Sequence, residues 1–128
     1  MTEYVIKSQI KVKLTQSKYF TLNLNQYRNA HYFTLNAAKE NYTQTMLPLL
    51  SGIPELAQVD LKYTLYLKGK KRRDTNNILS VVDKFFADCL VKANVLVDDD
   101  YSRLRNTHFI FGGFTTEESY VLINIIEV

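Results

Sequence analysis

Apolar and polar residues alternate along YVIKSQIKVKLT (residues 4–15), with Val5, Ile10, Val12 and Leu14 set against lysines. That period predicts a strand with one wet face. The next stretch, SKYFTLNLNQYRNAHYF (17–33), is polar and aromatic without a period and reads as a loop with a short extended piece. A helix is predicted from Leu35 to Leu50, with Thr34 as N-cap and Gly52 and Pro54 closing it. QVDLKYTLYLKGK (58–70) gives the clearest strand, with Val59, Leu61, Tyr63, Leu65 and Leu67 on one side and Asp60, Lys62, Thr64, Tyr66 and Lys68 on the other. The period then changes. Ile78, Val81, Val82, Phe85, Phe86, Cys89, Leu90 and Ala93 form one wide helical stripe. Two further strands, about 104–112 and 119–127, are predicted to join through GGFTTEE as a hairpin. The order β-α-β-α-β-β describes an α+β fold: a small mixed, mostly antiparallel sheet of about four strands with two main helices.

At 128 residues the chain suits a single domain, 1–128. No apolar run reaches the roughly 20 residues that span a bilayer, and the alternating start MTEYVIKSQIKVK does not read as a signal peptide. The lone Cys89 has no internal disulfide partner, and with only His31 and His108 beside it no zinc spacing exists. A reduced, cytoplasmic setting is expected, and any metal would be a hard cation held by carboxylates. The net charge of +3 conceals a division. Residues 1–73 carry twelve Lys and Arg against four acids, and residues 74–128 carry four against nine. Such asymmetry points toward a polyanionic partner, although a mixed surface gives the same count.

The reversal falls inside GKKRRDTNN (69–77). The basic residues Lys68, Lys70, Lys71, Arg72 and Arg73 end a strand, and Asp74 opens a helix. Asp98, Asp99 and Asp100 follow the helix exit. Asn77, Ser80, Lys84 and Asp88 form a polar stripe opposite the apolar one. Carboxylates converging beside a lysine suit metal-assisted phosphodiester hydrolysis. Each residue also has a plainer role: Asp74 as N-cap, the acidic triple as a solvated turn, Lys84 and Asp88 as an i,i+4 pair, and the basic run as protection for a sheet edge. A rod of residues 75–93 is about 28 Å long, so Asp74 and Asp98 meet only if the exit chain retraces the helix.

The series RRDTNN (72–77), DKFFADCLVKANVLVDDD (83–100) and, upstream, LNQYRNAH (24–31) resembles the RusA family of Holliday-junction resolvases. That family reads as a basic run, Asp-x-Asp-Asn with a lysine three residues on, and a final Val-x-x-Asp-Asp turn. The resemblance implies an endodeoxyribonuclease of recombination and repair, common in prophages, that nicks four-way DNA junctions as a homodimer using Mg²⁺ or Mn²⁺. It implies catalytic roles for Asp74, Lys84, Asp88 and Asp99, and metal ligation by Asp74, Asp88, Asp98 and Asp99. Phosphates would meet the basic run, with Asn76 and Asn77 supporting the ligands. Two departures stand out. The family's second aspartate falls on Asn76, and its lysine falls on Ser80 when counted from Asp74, or on Lys84 when counted back from the DCLVKANVLVDD segment. Asp83 or Asp88 would then replace the missing carboxylate. Without a substitute, the resemblance implies a binding protein for branched DNA that does not cut.

Overall fold

The computed structural model describes residues 2–128. Its elements are β1 (Glu3–Gln9), β2 (Lys11–Lys13), β3 (Tyr19–Thr21), α1 (Leu24–Asn29), α2 (Tyr32–Leu50), β4 (Val59–Lys68), α3 (Thr75–Lys92), β5 (Leu104–Thr115) and β6 (Tyr120–Glu127). The fold is α+β, with a four-stranded mixed sheet in the order β1-β6-β4-β5.

β4 lies inside the sheet, antiparallel to β6 and parallel to β5. Its odd-numbered residues Val59 to Leu67 are all buried, because the helices pack on that face. α3 supplies the opposing apolar surface: of its predicted stripe Ile78, Val81, Val82, Phe85, Phe86, Cys89 and Leu90 are buried and Ala93 is half-buried, and Leu79 joins them in the core. α2 adds Ala38, Tyr42, Met46 and Leu50.

Three sequence expectations are corrected. The first strand breaks at Ile10, and its second half leaves the main sheet to pair with β3 as a separate ribbon. The stretch 17–33 is more ordered than its aperiodic pattern implies. Asn23 caps α1 by accepting from the Gln26 N–H (2.8 Å), and His31, not Thr34, caps α2. The third correction concerns the presumed hairpin. β5 and β6 are not neighbours, since β4 lies between them and the chain passes across its end through residues 116–119. The two glycines do other work there. A Cβ on Gly112 would lie 2.6 Å from Thr64 Cγ2 and 2.7 Å from Tyr66 Cζ, so glycine lets the Tyr66 ring pass. Gly113, at φ 130°, sits beyond a register shift between the pairs of Leu65 and Tyr66, a bulge geometry that favours glycine.

The end of α3 decides where the acidic triple goes. Asn94 takes φ 60°, the left-handed conformation. Its N–H donates to the Val91 carbonyl (3.0 Å) and the Val95 N–H to the Leu90 carbonyl (2.9 Å), the two bonds of a Schellman motif. Val95 and Leu96 are thereby buried against the core, and the chain doubles back along the helix that it has just left.

Among the described residues no helix is long and apolar enough to cross a membrane.

Candidate active site

The reversal at Asn94 brings Asp99 to the flank of α3. A cleft of ≈ 450 Å³ opens there, lined by Tyr27, Lys39, Asp83, Lys84, Ala87, Asp88, Asp99, Leu104 and Thr107. α3 supplies three charged residues on neighbouring turns, α1 and α2 supply Tyr27 and Lys39, and the start of β5 forms the remaining wall. A larger groove of ≈ 640 Å³ lies elsewhere, between β1–β2 and α2, and no carboxylate lines it.

Asp83 is the most constrained of these side chains. Tyr63, fully buried on β4, donates its hydroxyl to Asp83 Oδ1 at 2.7 Å. This fixes one oxygen of a carboxylate that also lines the cleft. Burial pushes the Asp83 carboxyl above the usual carboxylate range, and the nearby Asp99 charge adds to it, while the Tyr63 hydrogen bond and Lys84 oppose the rise. Asp99 is raised as well, first by burial and then by repulsion from Asp88 and Asp98. Several acids therefore crowd one space with too little compensating charge. The Lys84 and Lys39 ammonium groups each stand 5.9 Å from the centre of the Tyr27 ring, so two cations lie at cation–π range of one ring.

The cleft unites Lys84, Asp88 and Asp99 of the expected residues and excludes others. Asp74 is the N-cap of α3, its Oδ1 accepting from the Asn76 N–H at 3.0 Å. It stands nine residues before Asp83 and fourteen before Asp88 on a single helix, or about 13 and 21 Å at 1.5 Å per residue. One cation cannot bind Asp74 and Asp88 of the same chain, so the expected four-carboxylate cage does not form. Asn76 and Asn77, exposed beside Asp74, do not support the cleft residues either. Asp98 does not line the cleft. Its Oδ1 accepts from the Asp99 N–H (2.8 Å), which orders the turn. Asp100 is a turn residue too, and the hydrogen bonds from Ser102 hold its carboxyl below the usual range. The basic residues Lys68 and Lys70 to Arg73 are exposed at the opposite end of α3 from the cleft.

Two lining residues carry weaker sequence signals. Lys39 lies on α2 without a local motif. Asp83 borders the apolar stripe, with Leu79 and Phe86 one turn to either side, which is an unusual place for a carboxylate that only meets water.

Among the described residues no three His, Cys, Asp or Glu side chains lie close enough to form a complete metal cage. Mg²⁺ commonly keeps several waters and takes only one or two carboxylates besides substrate phosphate. The excess negative charge at Asp83, Asp88 and Asp99 fits that lesser demand. Neither protein-family models nor curated proteins give any match to this chain.

Proposed function

We propose that the cleft is the active site of a metal-dependent endodeoxyribonuclease that cuts branched DNA, with the four-way junction as substrate and recombination and repair as setting. One observation carries the reading: Asp83 and Asp99, both raised by burial and by neighbouring acids, open into a cleft that also holds Lys84. Asp88 and Asp99 would hold Mg²⁺ or Mn²⁺. When bound, that ion would acidify a water and neutralise phosphate charge.

The chain's own groups divide the remaining work. Tyr63 holds Asp83 in place through Oδ1. Asp83, with a proton affinity raised by its surroundings, takes the proton from the attacking water. The new P–O bond forms as the bond to the leaving oxygen breaks, and Lys84 offsets the negative charge that builds on the phosphoryl oxygens. The exposed run Lys68 to Arg73 binds backbone phosphates, which position DNA without reading its sequence. The protein would act in the cytoplasm of a bacterial or phage-infected cell.

A four-way junction of synthetic oligonucleotides, incubated with the protein and Mg²⁺, tests this. We expect paired nicks near the branch that are lost in Asp83→Asn and Asp99→Asn. Absence of cutting by the unmodified protein across metals and salts defeats the reading. The incomplete metal cage favours a second one, a branched-DNA-binding protein without catalysis. It requires tight, salt-sensitive junction binding that does not depend on metal.

A further inference from the structure

Register and two hydrogen bonds fix which way the backbone of β1 and β2 faces. The Glu127 N–H donates to the Thr2 carbonyl (2.9 Å), and the Leu22 N–H to the Ile10 carbonyl (2.7 Å). With β1 in register on β6 and β2 on β3, the even-numbered residues are the ones bonded to those partner strands. In an antiparallel pair the alternate residues turn their N–H and C=O groups the other way. Lys7, Gln9, Lys11 and Lys13 therefore present theirs along one outer edge, ~20 Å long at 3.3 Å per residue. Two carbonyls of that row are taken, Gln9's by Ser8 Oγ (3.1 Å) and Lys13's by Asn41 Nδ2 of α2 (2.8 Å). Its four N–H groups have no acceptor among the described residues.

The same four residues line the ≈ 640 Å³ groove between β1–β2 and α2. Buried Val12 and Met46 and half-exposed Leu49 give the groove an apolar side. Lys7, Lys11 and Lys13 give it three cations, and no carboxylate lines it. Glu117 and Glu118, outside the groove, reach Lys7 and Lys11 at 3.1 and 3.9 Å. Carboxylates thus already approach one end of the row. Lys13, at the other end, has no ion-pair partner among the described residues.

We propose that this edge receives an extended acidic segment of another protein, added as a strand beside β1–β2. A row of backbone groups at strand spacing is matched by a second polypeptide, and the flanking pockets then select its side chains. Those side chains alternate between the two faces. On the face of Lys7, Lys11 and Lys13 the segment carries Asp or Glu. On the face of Val12 and Met46 it carries aliphatic residues. No stretch of this chain alternates acidic and aliphatic residues in that way, and the same edge of a second copy would set lysine against lysine. The occupant is accordingly a different protein. The groove shares no residue with the cleft, so this binding does not depend on the nuclease reading.

A short fluorescein-labelled peptide of alternating glutamate and valine, titrated with the intact chain and followed by fluorescence anisotropy, tests the proposal. We expect saturable binding that is about tenfold weaker for a peptide with the same residues in two blocks. A similar loss, about tenfold, is expected when Lys11→Glu and Lys13→Glu are combined, at exposed positions that let the chain fold. N-methylation of alternate peptide amides reads the strand pairing. Methylating the set that faces the edge should abolish binding, and methylating the other set should leave it. Bound peptide should also slow hydrogen exchange at the N–H groups of Lys7, Gln9, Lys11 and Lys13. A wild type that binds neither peptide overturns the proposal, as does equal affinity for both or equal loss from either methylated set. If a single-stranded oligonucleotide protects those amides and the peptide does not, the groove is a nucleic-acid surface and the proposal is lost.

Discussion

Replacing Tyr63 with phenylalanine deletes one buried oxygen and leaves the ring in place between Phe86 and Phe109, whose centres lie 6.2 and 5.8 Å away. The loss is a 2.7 Å hydrogen bond to a partly buried carboxylate. Hydrogen bonds to charged groups contribute about 1.5–3 kcal/mol, against about 0.5–1.5 between neutral partners. Folded Asp83 has a raised pKa, so it holds its proton to a higher pH than the unfolded chain does. Its ionisation therefore removes stability as pH rises from the unfolded value, near 3.9, through the folded one. Without the Tyr63 hydroxyl that loss deepens. The cost of Tyr63→Phe should thus be near the charged figure at pH 7 and decline toward the neutral figure once Asp83 is protonated. Urea unfolding at several pH values, with Tyr63→Phe and Asp83→Asn combined in a double-mutant cycle, measures it. A Tyr63→Phe cost that is the same at all pH values and unchanged in the Asp83→Asn background refutes the coupling. In a cleavage assay the same variant should retain less activity than its stability loss explains, because Asp83 is no longer held.

Other outcomes follow from single features. Asn94→Ala puts alanine, which tolerates the left-handed region less well than asparagine, at that position and should cost up to about 1 kcal/mol, while Asn94→Gly should be neutral or better; thermal unfolding separates them. Gly112→Ala puts a Cβ within 2.8 Å of Thr64 and the Tyr66 ring and should cost about 1–3 kcal/mol, with partial rescue by Tyr66→Leu in the same melting assay. Asp60 receives two bonds from Arg105, at 3.1 and 2.8 Å, and one from the Asn106 N–H at 3.0 Å. The Arg105 bond is the main cause holding its carboxyl below the usual range. That stability is present above the unfolded pKa and is lost as pH falls through the lowered folded value, so Asp60→Asn should flatten the acid limb of the stability curve.

Much of the fold is legible because burial leaves a periodic trace. The alternation of Val59 to Leu67 and the stripe from Ile78 to Leu90 describe β4 and α3, the two elements with the most buried faces. α1 leaves no such trace because none of its six residues is buried. It is held by the Asn23 cap and by local bonds, which period cannot reveal. The β5–β6 connection misleads for another reason. Its length suits a hairpin, but length does not exclude a third strand lying between the two. At the site, the separation of Asp74 from Asp88 follows from the rise of a helix and was available in the sequence. The pairing of Asp83 with Tyr63 was not, because it joins residues 20 apart on different elements.

The place of β6 has a consequence for how the molecule assembles. Its residues 120–127 come late in the chain yet pair with both β1 and β4, and Glu3 meets Ile126 across 123 positions. Until β6 arrives, β1 has no partner in the main sheet, while β4, α3 and β5 already form a contiguous unit. We expect that unit to acquire amide protection first and β1 with β6 last, in a folding reaction slowed by long loop closure. Pulsed hydrogen exchange during refolding would show the order, and simultaneous protection of β1 and β5 would contradict it. The carboxylates of the cleft all belong to α3 and the turn after it, so in this order the cleft would take shape before the sheet is closed.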